Sequence, residues 1–165
     1  MKTLTLLRHA KSSWENSDLN DMDRPLTNRG YADAFRISHL LKSTHYIPDR
    51  ILSSTALRAK LTASFFSQIL SDPSQISFHP TLYFEPIKKV KAFISSQPNT
   101  PDHIMIVSHN PMLEELIKDL TGTECGKFPT CAHITFRFDT TEWNTLFHHT
   151  PECIYFGSPK QNFRI

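Results

Sequence analysis

The 165-residue chain is informative first for what it lacks. No apolar run approaches the length of a membrane-spanning helix, and the few apolar residues ahead of Arg8 fall well short of a secretory signal. A cytoplasmic protein with no membrane partner is expected. Three cysteines, Cys125, Cys131 and Cys153, form no CxxC pair and are odd in number, which excludes a complete disulfide framework and predicts reduced, partly buried thiols. Nine histidines occur without HxH, HExxH or zinc-finger spacing, so no metal site is expected. Lysine and arginine number 18 against 16 acidic residues, and a net charge of +2 gives no electrostatic basis for binding nucleic acid. Repeats, low-complexity tracts and interdomain linkers are absent too, and the length fits one domain over residues 1–165.

What is present begins with Leu4-Thr5-Leu6-Leu7-Arg8-His9, a short apolar run that ends in a cation beside an imidazole. Thr3 to Leu7 is too brief for an amphipathic helix and reads as a buried strand, which puts Arg8 and His9 at the carboxyl end, where α/β proteins place ligands. The polar stretch from Lys11 to Asn20 reads as a loop over that end, where Trp14 either packs or lines a pocket. Thr27 is a plausible N-cap for a helix burying Ala34, Ile37 and Leu41, its stripe widened by Phe35 and Leu40.

Arg50 to Ser53 reads as a second strand, with Arg58 in the first turn of a helix whose buried side carries Thr62, Phe65, Phe66, Ile69 and Leu70 and which Asp72-Pro73 ends. Ile76 to Tyr83 is β-like but broken by Pro80, which predicts an edge strand or an irregular connection. A third helix buries Ile87, Val90 and Ile94 and leaves Lys88, Lys89 and Lys91 to solvent. His103 to Val107 is the clearest buried strand; Ser108-His109-Asn110 turns from it into a helix with Pro111 at its first position and Gly122 at its stop. Ala132 to Asp139, Trp143 to His149 and Cys153 to Phe156 read as further strands, at least one antiparallel, and His148-His149 as a polar strand end. The alternation of strand and helix before residue 122 predicts an α/β fold, a largely parallel sheet covered on both faces.

Three converging strand ends would gather Arg8, His9, Arg58 and His109 in one small volume. Two guanidiniums and two imidazoles beside a helix N-terminus suit an anion, and the planar fork of arginine matches phosphoryl oxygens. A neutral imidazole can attack phosphorus in line, and His9, directly after Arg8, is the better nucleophile; His109 would donate to an equatorial oxygen. The side chains themselves would neutralise the phosphoryl oxygens, so no metal is required.

Leu7-Arg8-His9-Ala10-Lys11, Asp23-Arg24-Pro25-Leu26-Thr27-Asn28-Arg29-Gly30, Ser53-Ser54-Thr55-Ala56-Leu57-Arg58-Ala59 with Thr62-Ala63, and Ser108-His109-Asn110-Pro111 together resemble the histidine phosphatase superfamily, which includes the phosphoglycerate mutases. Length and the form of the first motif are most similar to the SixA-like phosphohistidine phosphatase branch. The resemblance implies a three-layer α/β/α sandwich of phosphoglycerate mutase type, with a mostly parallel central sheet and an antiparallel strand. It also implies a phosphate pocket of Arg8, Arg58 and His109 around a phosphorylated His9. Many members take a general acid from a glutamate after the second-arginine helix; Glu85 lies in that region, between Phe84 and Pro86, which depart from the usual motif. The expected partner is a phosphorylated protein carrying phosphohistidine. The alternatives are a small phosphate monoester, or a phospho-ligand bound without turnover.

Overall fold

The apolar run Thr3–Leu7 is the middle of β1 (Lys2–Arg8), and alternate residues of that strand feed two different cores. A computed structural model describes residues 1–44, 46–70 and 75–164 of the chain. After β1 come α1 (Asn28–Lys42), β2 (Arg50–Ser54), α2 (Leu57–Leu70), β3 (Ile76–His79), α3 (Ile87–Ser95), β4 (His103–Ser108), α4 (Met112–Thr121), β5 (His133–Phe138), β6 (Glu152–Ser158) and β7 (Gln161–Arg164). Leu4, Leu6, Ile104 and Ile106 pack with Val90 and Ile94 of α3 and with Leu113, Leu116 and Ile117 of α4. Leu7, Met105 and Val107 pack with Ala34, Ile37 and Leu41 of α1 and with Ala59, Ala63 and Phe66 of α2. A strand buried on both faces has no polar alternation to show, so it reads as a continuous apolar run.

The sheet order is β3-β2-β4-β1-β5-β6-β7. The first four strands pair in parallel, while β5, β6 and β7 each join antiparallel to their neighbour. The result is the expected α/β/α sandwich. The chain leaves β1, lays down β2 and β3, and returns through β4 into the gap beside β1, so the carboxyl ends of β1, β4 and β2 lie side by side. In register, Arg8 stands opposite Ser108, and Ser53 opposite Val107.

Local signals held at most element ends. Thr27 caps α1 by accepting from Gly30 N–H at 3.0 Å. Gly122 ends α4 at φ 71°, the left-handed conformation glycine adopts without steric cost. β3 is the sheet edge and gives way at Pro80 to a short 3₁₀ turn. The three cysteines are free thiols, Cys131 fully buried. Pro111 precedes the first residue of α4 rather than opening it.

Three expectations fail for physical reasons. Trp143–His148 is a 3₁₀ helix, not a strand: Trp143 and Leu146, three apart, share one face of a three-residue turn, and both are buried. The Trp143 indole N–H donates to the Pro101 carbonyl at 2.9 Å, which fixes that face inward. His148 and His149 therefore close a 3₁₀ helix rather than end a strand. Phe35 does not widen the stripe of α1; it is 55% exposed and stacks on His39, one turn along. β7 was not anticipated, and Asp72-Pro73 lies outside the described residues.

Candidate active site

Each principal side chain of the site sits on or just after a strand end. Arg8 is the last residue of β1; its Nη1 donates to the Phe128 carbonyl at 2.9 Å, and its buried Nε has no partner in the protein. His9 follows, its backbone N–H held by Ser108 O at 3.0 Å. Its Nδ1 lies 2.7 Å from the Ala10 carbonyl, and since a carbonyl only accepts, the ring proton is on Nδ1. The lone pair is left on Nε2.

His109 stands beside it, ring centroids 5.0 Å apart. Its Nε2 is 2.7 Å from Ser54 Oγ at the end of β2. Ser54 Oγ accepts from Ala56 N–H at 3.3 Å, and among the described bonds the acceptor beside its own proton is His109 Nε2; that assignment puts the His109 ring proton on the buried, unpartnered Nδ1. Arg58, in the first turn of α2, is buried to 1% exposure and also carries an unpartnered Nε. Three buried donors without a protein partner are costly unless an acceptor enters, and phosphoryl oxygens are such acceptors.

Asp21 orders the arginines. Its carboxylate accepts from Arg24 Nε and Nη2 (3.1 and 2.9 Å), from Arg58 Nη2 (2.9 Å) and from the Tyr83 hydroxyl (2.7 Å), while its main-chain oxygen accepts from Arg58 Nη1 at 2.6 Å. Burial alone would raise its pKa, but the bonds from Tyr83, Arg58 and Arg24 outweigh that and hold it at about 2. The loop after His9 is pinned in turn: Ala10 N–H donates to Thr62 Oγ1 at 3.0 Å, and that hydroxyl donates to Arg58 O at 2.7 Å. From the other side Cys131, at φ 60°, shares its N–H between Arg8 O and His9 O, both at 3.1 Å.

Arg8, His9, Asp21, Arg58 and His109 line a pocket of about 320 Å³ that includes Lys11, Trp14, Arg24 and Phe84. Four cations face the single carboxylate of Asp21. The sequence brought forward Arg8, His9, Arg58 and His109, and the fold unites all four. Glu85 is not brought in: it lines a neighbouring groove, and its carboxylate pairs with Lys89 at 2.8 Å. Asp21 and Tyr83 were missed, because Arg58 lies 37 residues from Asp21 and Tyr83 lies 62, so no local spacing connects them. A larger cleft of about 550 Å³ opens at the amino ends of the strands. There the Asp49 carboxylate accepts from the N–H groups of Asp102 and His103. Among the described residues, no three His, Cys, Asp or Glu side chains group as metal ligands would, and no helix is long and apolar enough to cross a membrane.

Burial sets the charge of the imidazoles. Burial, reinforced by Arg58, Arg8 and Arg24 against the bond to Ala10, lowers His9 to about 3; burial together with His9 and Arg58 lowers His109 to about 2. Away from the pocket, burial lowers His103 to about 4 and His133 to about 3. These folded values lie below the ordinary ~6.5 of an unfolded histidine, so between the two the unfolded chain binds more protons. Stability is therefore complete above pH ~6.5 and falls as pH drops through that window, by about 1.4 kcal/mol per pH unit for each histidine. His133 isolates one such proton, since neither ring nitrogen has a partner and the ring stacks on Tyr155. Denaturant unfolding of His133→Phe should show a slope between pH 5 and 6 shallower than wild type by about 1.4 kcal/mol per unit.

The model of the histidine phosphatase superfamily (branch 1) matches residues 4–82, the span that carries Arg8, His9 and Arg58. A candidate SixA phosphohistidine phosphatase from Agrobacterium tumefaciens superposes with a TM-score of 0.81 at 27% identity, over 96% of this chain and 98% of that one, and so extends the match past His109. The chain belongs to the histidine phosphatase superfamily. This superfamily member falls in the SixA-like branch, and the family match together with the SixA likeness supports phosphatase activity. An uncharacterized chloroplastic protein of Arabidopsis thaliana is 32% identical over 156 residues, 88% of this chain and 71% of that one. A phosphoserine phosphatase of Entamoeba histolytica, solved with 3-phosphoglyceric acid, superposes with a TM-score of 0.63 at 19% identity over 96% of this chain and 98% of that one, a likeness of fold.

Proposed function

We propose that this phosphatase hydrolyses phosphohistidine on a protein by way of a phosphoryl group carried on His9. The observation that carries the reading is the state of the carboxyl groups. Asp21, the pocket's carboxylate, is held at about 2 and is ionised at neutral pH, and Glu85 is paired with Lys89 outside the pocket. Neither is a proton donor for a leaving group. An alkoxide needs such a donor; a phosphohistidine already protonated on its other ring nitrogen departs as neutral imidazole.

In the first step Nε2 of His9 attacks phosphorus in line while Arg8, Arg58 and His109 Nδ1 hold the phosphoryl oxygens. The substrate P–N bond breaks, and its electron pair stays on the departing nitrogen. Water then attacks the phosphorus of phospho-His9, the P–Nε2 bond breaks with its pair returning to the ring, and the water's proton passes to solvent as inorganic phosphate forms. His9 is neutral for this without help from a base, since its pKa is lowered to about 3.

The test is phosphate release from a phosphohistidyl peptide and from phosphoserine, side by side, for wild type and Glu85→Gln. General acid catalysis contributes at least about 10²-fold where it operates, so kcat/KM for the phosphohistidyl peptide should exceed that for phosphoserine by about that factor or more. Glu85→Gln should leave both rates within about twofold, since the residue is outside the pocket. Equal or faster release from phosphoserine overturns the reading in favour of a small-ester phosphatase, and selective loss of ester cleavage in Glu85→Gln restores Glu85 as the acid.

A further inference from the structure

Phe84 is a bulky residue in the left-handed region, at φ 53°. A side chain in that conformation is a genuine backbone outlier, and such strain persists only where the surroundings impose it. Core burial does not account for it, because Phe84 remains 50% exposed. What the conformation achieves is placement: the ring lies over His109, centroids 5.0 Å apart and planes 29° from parallel, and meets Tyr83 edge-on at 4.7 Å. Tyr83 is itself fixed by its bond to Asp21.

A second exposed ring lines the same pocket from the loop after β1. Trp14 is 73% exposed, yet the Arg24 guanidinium carbon lies over it, 3.5 Å from the ring centroid. That guanidinium is in turn held by Asp21 and by Ser12 Oγ at 2.8 Å. Both rings are thus anchored through Asp21 on one side and offer a free aromatic face on the other. Rings held in this way stack on planar π-systems, with little conformational entropy left to lose.

We infer that Phe84, with Trp14, is a specificity-determining residue that stacks on the ring of a planar leaving group, here the imidazole of phosphohistidine. The inference rests on the phosphohistidine reading for the identity of that ring, and two matched substrate pairs separate the two. Phosphohistidine and phosphoramidate share a P–N bond, but only the first carries a ring; phosphotyrosine and phosphoserine are the corresponding esters. The variant is Phe84→Gly, which removes the ring and relieves the positive φ, so the fold is kept.

Phe84→Gly should lower the ratio of kcat/KM for phosphohistidine to that for phosphoramidate about tenfold, in line with the loss of one stacking partner. Phe84→Tyr should restore the ratio of ringed to ringless substrate. If the wild type cleaves esters and not P–N compounds, the phosphohistidine reading fails, and the stacking is decided on the ester pair by the same ratio. An unchanged ratio in Phe84→Gly, whether rates are retained or fall equally for both members of a pair, overturns the inference, because a ring that merely covers His109 would act on every substrate alike.

Discussion

His9→Ala abolishes turnover, with kcat falling by about 10⁴-fold or more, as removal of a covalent nucleophile does. The size of the effect follows from how completely the site commits its other groups. His109, the neighbouring imidazole, is tied through Nε2 to Ser54 and is aligned as a donor. Ser12, the hydroxyl nearest in sequence, accepts from Arg24. Among the groups lining the pocket, His9 is the one that combines a fixed Nδ1 proton, a free Nε2 and a ring held neutral at physiological pH. Rapid quench with ³²P-labelled substrate should trap an acid-labile, base-stable phosphoprotein in wild type and none in His9→Ala. The variant keeps Arg8, Arg58 and His109, so inorganic phosphate should still bind. A labelled His9→Ala protein, or one retaining more than about a hundredth of wild-type kcat, would sink covalent catalysis at this residue. A wild type that binds phosphate but neither labels nor turns over would instead be a phospho-ligand reader.

The parts of the fold legible in the sequence were those decided locally. β1 and β4 show as apolar runs because both faces are buried; Thr27 and Gly122 show because a cap and a left-handed stop have few chemical solutions. Arg8, His9 and His109 were legible because each closes or directly follows such a run, and Arg58 because it stands in the first turn of the helix after the next strand. The positions of Asp21 and Tyr83 were not, since each is defined by a bond to a residue far away in the chain. That Phe84 rather than Glu85 lines the pocket was not legible for a related reason. Adjacent residues in an irregular segment differ in direction by a backbone angle that composition does not encode, and the positive φ of Phe84 sends the ring, not the carboxylate, to the pocket. Trp143 and Leu146, three apart, would face opposite sides of a strand, and the buried bond to Pro101 holds them on one face of a 3₁₀ turn.

Gly30→Ala links the fold to the chemistry and has the second-largest expected effect. On helix propensity alone alanine is worth about 1 kcal/mol over glycine in a helix interior, an upper bound for Gly30 in the first turn of α1. Packing opposes this: a Cβ at Gly30 would stand 2.2 Å from the Lys11 carbonyl oxygen and 3.1 Å from its carbon. Both are backbone atoms, and the oxygen is already held by Thr27 N–H at 2.9 Å and Thr27 Oγ1 at 3.2 Å, so it cannot swing aside. Either α1 or the loop carrying Lys11 must shift by about 1 Å, and overpacking of that kind costs about 1–3 kcal/mol, which exceeds the propensity gain. The displaced loop is the one that follows His9, and a misplacement of about 1 Å at a reacting group costs on the order of 10²-fold in rate. Thermal unfolding and kcat/KM measured together should both fall. Gly122→Ala is the control: nothing lies within 4 Å of its added Cβ, but its φ of 71° is strained for alanine, so stability should drop while kcat/KM holds. A Gly30→Ala protein with full activity would show that the contact between α1 and Lys11 does not position His9.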